Sequence, residues 1–278
     1  MSRKLLTQLA TALALIVVSV SAVAEVTYKG STTALPIAQL ISEELASSIV
    51  LSVQGGGSGT GIAAIIDGTT DIAGSSRYMK LEEFQKAIAN GVMPYIWEIA
   101  IDALSIVVHP SNSIGEITYD DLRRIYLGEV TNWSALGGPN QAIVVVSRDS
   151  SSGTYGTFKE VVLENKEVTA GALFQASNGA VASTVASTPG AIGYVGLGYL
   201  QPSLKALSLA KTSVDPFIMP SVETAISFEY PLSRPLFFIT NGYPKGEIAD
   251  IVKFILSDAG QALVVDAGFA PIRVLPGM

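Results

Sequence analysis

Arg148 is followed within nine residues by six hydroxyl side chains, Ser150, Ser151, Ser152, Thr154, Tyr155 and Thr157, and by two glycines, Gly153 and Gly156. In a chain with only 15% charged residues, a solvated loop has use for the hydroxyls and glycines but none for the arginine. A guanidinium, a row of hydroxyls and freely approachable backbone amides together suit a ligand that is negatively charged and accepts many hydrogen bonds. A tetrahedral oxyanion has that chemistry. The segment joins an apolar run, Ala142–Arg148, to a stretch of helical character, so the anion would face a helix N-terminus, where unpaired N–H groups and partial positive charge collect.

Two further junctions have the same form. In Lys29–Pro36, Gly30 frees the backbone, and Ser31, Thr32 and Thr33 precede a helix with Pro36 in its first turn. In Gly55–Gly61, five of the seven residues are the glycines 55, 56, 57, 59 and 61, and the other two are Ser58 and Thr60. Helix capping and loop geometry explain each junction singly. Three such junctions beside one arginine exceed what capping requires. A buried anion without partners costs tens of kcal/mol in the ideal limit, and each charge-assisted hydrogen bond returns about 1.5–3 kcal/mol, so enclosure needs many donors.

Other chemistries lack their residues. No Gly-Lys-Ser/Thr follows the glycine-rich segment, and Thr60 stands where both the dinucleotide fingerprint from Gly55 and a nucleophile elbow around Ser58 need glycine. A serine hydrolase needs a histidine base, and His109, the only one, sits in Val107-Val108-His109-Pro110, read as a solvated strand end. There is no H-E-x-x-H and no calcium-loop pattern, so no cofactor or metal is expected. With no cysteine, disulfides, thiol nucleophiles and thiolate zinc sites are excluded.

The elements that must position the junctions follow from hydrophobic patterning. Residues 1–24 combine Arg3 and Lys4, an apolar run and Ala22-Val23-Ala24, the plan of a cleavable secretory leader rather than of a retained span. With no cysteine to carry a lipid, the expected product is exported to the periplasm, with no stable membrane insertion after cleavage. Removing Arg3 and Lys4 takes the formal charge from −7 to −9, which disfavours nucleic acid and anionic membranes as partners. Beyond the leader, apolar strands alternate with helices, an α/β pattern. Helices are expected over 36–50, from 60, and over 245–268 with a break at Asp258-Ala259-Gly260. Strands are expected at 71–76, 104–110, 142–148, 190–200 and 235–241. Ser-Gly-Thr recurs at 58–60 and 152–154, each time between a strand and a helix.

From residue 25 to the end the chain resembles the phosphate-binding periplasmic proteins that feed ABC importers. The resemblance rests on GSTTALP (30–36), QGGGSGTGI (54–62), DIAGSSR (71–77), LRRIYLGEVTNW (122–133), SRDSSSGT (147–154), GAIGYVGLGYL (190–200) and RPLFFITNGYPKG (234–246). It implies a two-lobe periplasmic-binding-protein fold of type II-like order, with the ligand in the interlobe cleft and two hinge strands. The implied lobes are residues 25–104 plus 236–278 and residues 105–235, with crossings in ALSIVVHP and PLSRPLFF. Carried over by position, the phosphate contacts would be Thr32, Thr33 and Ala34 from the first junction, Ser58 from the second, and Arg148, Ser152, Gly153 and Thr154 from the third. Implied too are a monomer, the permease subunits of an importer as partner, and no enzymatic activity.

One position departs from the family pattern. Many members carry an aspartate in the turn matching Gly74-Ser75-Ser76, where it accepts the proton of monohydrogen phosphate and repels sulfate. Here Ser76 stands there, followed by Arg77. Serine accepts a proton without repelling a dianion, and Arg77 is either a second attraction for the anion or an ion-paired surface residue. Sulfate, molybdate or tungstate binding, an exported phosphohydrolase and a sensor that docks on a membrane receptor are the alternatives.

Overall fold

The computed structural model describes residues 25–276; the leader, residues 1–24, lies outside them. In chain order the elements are β1 (Glu25–Gly30), α1 (Leu35–Glu44), β2 (Val50–Gln54), α2 (Ser58–Ile66), β3 (Ile72–Ser75), α3 (Leu81–Ala89), β4 (Pro94–Ala103), β5 (Ser105–Val108), β6 (Glu116–Thr118) and α4 (Tyr119–Tyr126). They continue with β7 (Val144–Arg148), α5 (Gly153–Val161), β8 (Leu173–Gln175), α6 (Asn178–Ser187), β9 (Ala191–Val195), β10 (Lys205–Ala206), β11 (Ser208–Ala210), α7 (Val222–Ile226), β12 (Ser233–Asn241), α8 (Gly246–Leu256) and α9 (Asp258–Asp266).

Two five-stranded sheets form two lobes, the architecture expected. One runs β2-β1-β3-β12-β4 and the other β10-β5-β9-β7-β8. β1 is parallel to β2 and β3, and β7 to β8 and β9, so α1, α2, α5 and α6 start at the carboxyl ends of parallel strands. Ligands of open α/β sheets gather at such strand ends. β3, β5 and β9 are buried at every residue, as strands covered on both faces are, whereas β2 and β8 at the sheet edges keep exposed residues. Ile37, Ile41, Tyr28, Phe238, Ile251 and Ile255 belong to the core of the first lobe's sheet and its helices, and Tyr126, Phe158 and Tyr194 stack in the second.

The chain passes between the sheets twice, side by side. β4 ends at Ala103 in the first sheet and β5 begins at Ser105 in the second, while β12 re-enters the first sheet at Ser233, opposite Ala103. Leu104 N–H donates to Leu232 O at 3.1 Å, and the Tyr230 hydroxyl donates to Leu104 O at 3.0 Å, stitching one passage to the other.

Several expected boundaries move. The helix expected over 36–50 stops at Glu44, because Ile49 turns inward and Val50 opens a strand beside Glu25. The strand expected over 190–200 ends at Val195, and Leu197–Tyr199 form a 3-10 turn. The break in 245–268 falls at Ser257, not at 258–260: its extended backbone stops α8 and its hydroxyl accepts the Gly260 N–H at 3.1 Å. Gly260 lies inside α9, where a Cβ would come 2.0 Å from Phe254 O, so glycine there lets two helices abut. β4, ten residues long, was not anticipated: a proline and two acidic residues, Glu98 and Asp102, obscure its pattern.

Candidate anion site

Each junction forms a helix start, with Ser31, Thr32, Thr33, Ser58, Ser152 and Thr154 buried, and the starts meet across the interlobe seam. At the first, the turn after β1 carries Ser31, Thr32 and Thr33, all buried. Ser31 Oγ accepts the N–H groups of Thr33 at 3.1 Å and Ala34 at 3.3 Å, so it holds the turn before α1 and takes the Ala34 amide. Gly30, at φ +142°, lies too close to Gly74 O for any side chain. At the second, Ser58 opens α2; its Oγ accepts the Ser76 N–H at 3.0 Å and lies 3.2 Å from Ser76 Oγ. At the third, Ser152 caps α5 by accepting the Tyr155 N–H at 3.2 Å, so its hydroxyl does the ordinary work of a cap. Gly153 is pressed against the second junction: a Cβ there would stand 2.3 Å from Ser58 Oγ and 2.7 Å from Ser76 Oγ.

Hydrogen bonds cross the seam. Thr33 Oγ1 and Thr154 Oγ1 lie 2.8 Å apart. Asn178 Nδ2 donates to Thr32 Oγ1 and Thr33 Oγ1, both at 3.1 Å. The Tyr199 hydroxyl donates to Thr32 O. Gly59 N–H donates to Ser151 O at 2.8 Å, and Ser151 Oγ donates to Gly56 O at 2.9 Å. Gly57, at φ +94°, would drive a Cβ to 2.6 Å from Ser151 Oγ.

Arg148 is the last residue of β7, at the end of the strand expected over 142–148, and is 1% exposed. Its Nε donates to Gln175 O and its Nη2 to Ala176 O, both at 3.0 Å. Its Nη1 is buried and has no hydrogen-bond partner among the described residues. Burial pulls the Arg148 pKa below the ordinary arginine value, against the opposing pull of Asp149. A guanidinium remains charged at neutral pH even so.

A second guanidinium escaped sequence reading. Arg234 of β12 donates through Nε and Nη2 to Asp102 Oδ2 of β4 at 3.0 and 2.9 Å, and through Nη2 to Thr154 Oγ1 at 2.9 Å. Asp102 Oδ1 accepts the Leu197 N–H at 2.8 Å. Burial pushes the Asp102 carboxyl up, with Arg234 pulling against it. An aspartate in the apolar run Ile99-Ala100-Ile101-Asp102-Ala103-Leu104 was the available signal, since a charge there needs a buried partner. Asn178 had a weaker one, another small polar residue at a helix start after a strand. Arg77 resolves to the ion-paired alternative: its two terminal nitrogens donate to Glu83 Oε2 and Oε1 at 2.8 and 2.7 Å. His109 Nδ1 lies 2.7 Å from Ser111 Oγ within its own turn.

A family model described as a PBP superfamily domain matches residues 18–261. A phosphate-binding protein PstS from Borreliella burgdorferi is 32% identical over 88% of this chain and 88% of its own. One from Pseudomonas aeruginosa is 31% identical over 87% of this chain and 81% of its own. Among solved structures, a Clostridium perfringens protein with bound phosphate superposes with a TM-score of 0.82 at 28% identity, covering 90% of this chain and 100% of that one. An ABC-type phosphate transport receptor from Vibrio cholerae gives 0.70 at 29% identity, covering 88% and 99%. Two lobes, their helix starts facing across a seam, and relatives matched over most of both chains place this chain in the PBP superfamily, in the family of PstS phosphate-binding proteins.

Proposed function

We propose that this protein holds one inorganic phosphate between its lobes and presents it to the permease of an ABC importer. The observation that carries this is Arg148 Nη1, a charged donor buried without a partner at the strand end that leads into the α5 helix start. Such a group costs about 1–3 kcal/mol unless an acceptor meets it. Thr32, Thr33, Ser58, Ser76, Gly153 and Thr154 complete the cradle; Ala34 and Ser152 line it, their polar groups already engaged by Ser31 and by the α5 cap. The lobes are residues 25–104 plus 236–276 and residues 105–235, hinged where β4 runs into β5 and where the chain returns to β12. The family's named ligand and transporters support this reading, and export through a cleaved leader fits it.

Calorimetric titration of stripped protein with phosphate and with sulfate tests the reading. Tight phosphate binding with little response to sulfate is expected; sulfate binding alone would move the ligand to another oxyanion. Ser76 sets the contrast. With Arg77 committed to Glu83, no free cation beside Ser76 rewards sulfate, and Ser76→Asp should widen the phosphate-to-sulfate ratio by about tenfold through charge repulsion. Competition binding reads that ratio. A hydrolytic role has less to stand on: the buried carboxylate at the seam, Asp102, is occupied by Arg234 and Leu197 N–H.

A further inference from the structure

Each cradle threonine hydroxyl is met by a side-chain N–H donor. Asn178 Oδ1 accepts the Gly196 N–H at 3.1 Å, which assigns the other atom as nitrogen. Its two hydrogens go to Thr32 and Thr33, and Arg234 Nη2 donates to Thr154. A hydroxyl has one proton and two lone pairs. Thr33 and Thr154 share one proton between them. That leaves one proton on Thr32 and one on the Thr33–Thr154 couple, while Asn178 and Arg234 have taken more than half of the remaining lone pairs. On the opposite wall, Ser58 Oγ takes only the Ser76 N–H apart from the shared serine contact. That wall keeps acceptor capacity.

We propose that Asn178 and Arg234, which the phosphate contacts do not include, are positioning residues that polarise the cradle. The threonine wall is made to give protons, and the serine wall is left to take one. The ligand form this selects is the singly protonated tetrahedral dianion, its P–OH donating to Ser58 or Ser76 and its bare oxygens facing the threonines and Arg148. The doubly protonated monoanion would turn a second proton toward a wall short of lone pairs. This inference rests on the phosphate reading.

The titratable and charged groups on the elements packed around the threonines are Asp102, Arg148, Arg234, Asp149, Tyr28, Tyr194 and Tyr199. The three tyrosines are pushed up by burial, both arginines stay protonated, and Asp102 keeps its partners in an Asn178 variant. Asp149 Oδ1 is engaged by the Ser151 N–H at 2.8 Å.

The test is phosphate affinity of wild type and Asn178→Ala at about pH 6 and about pH 8.5, either side of the ligand's second ionisation. Arg234→Lys, which keeps a charge for Asp102 but loses the fork to Thr154, is measured in parallel, with melting curves to establish folding. Wild type should bind more tightly at the higher pH. Each variant should lose roughly tenfold there and clearly less at the lower pH, flattening the profile. Loss by the same factor at both values, with wild type binding normally, would overturn this inference alone, since a merely structural role lowers affinity at every pH. Failure of wild type to bind phosphate would overturn the phosphate reading and this inference with it.

Discussion

Arg148 shows how a residue's chemistry can be legible while its burial is not. Its type and its hydroxyl neighbours pointed to an anion and the apolar run before it to a strand end, but nothing local showed that its guanidinium is buried and tied to Gln175 O and Ala176 O. Two consequences separate. Arg148→Ala should weaken phosphate binding by several kcal/mol, and it should also destabilise the protein by about 2–4 kcal/mol, because two buried carbonyls lose their donors. Urea unfolding measured without phosphate reads the second effect apart from the first. A stability unchanged by the substitution would mean that those carbonyls find other partners.

At the scale of elements, the three strand-to-helix junctions were legible because glycines and hydroxyls before a helix are a local signal. What was not legible was how they lock together, since Asn178, Arg234 and Asp102 come from elements distant in sequence. Their pairing with the junctions depends on which strands cross between lobes. β4 was the element least visible, and it carries Asp102. Gly153 is the cleanest probe of the packing. It sits at the first position of α5, where alanine is a good helix former, and its missing Cβ admits Ser58 and Ser76 from the other lobe. Gly153→Ala should leave the melting temperature of the phosphate-free protein within a few degrees of wild type, since the clash arises only when the lobes meet. It should reduce phosphate affinity at least about tenfold. Calorimetry and a thermal melt of the same sample separate the two, and an unaltered affinity would mean that the lobes close without this contact.

The whole molecule works against its own ligand at long range. The chain is acidic, with a formal charge of −7 including the leader, Arg77 is neutralised by Glu83, and Arg234 by Asp102. Arg148 is the attraction that remains at the seam, and it is buried. Phosphate therefore approaches against a repulsive field, and its association rate should rise as salt is added from about 10 to 150 mM, a range over which the screening length falls from about 30 to 8 Å. Stopped-flow mixing measures this; a rate that falls with salt would reveal a cationic funnel at the cleft.

The unpartnered Nη1 of Arg148 also bears on what the membrane machinery experiences. On the proposed reading an open cleft lets water meet that nitrogen, so closing around nothing costs about 1–3 kcal/mol and holds the empty closed form about 5- to 150-fold below its unpenalised population. A transporter that answers to the closed shape then meets few vacant receptors, and ATP is seldom hydrolysed on an idle stroke. One nitrogen atom would serve as a proofreading device, making the shape of the protein an honest report of its cargo.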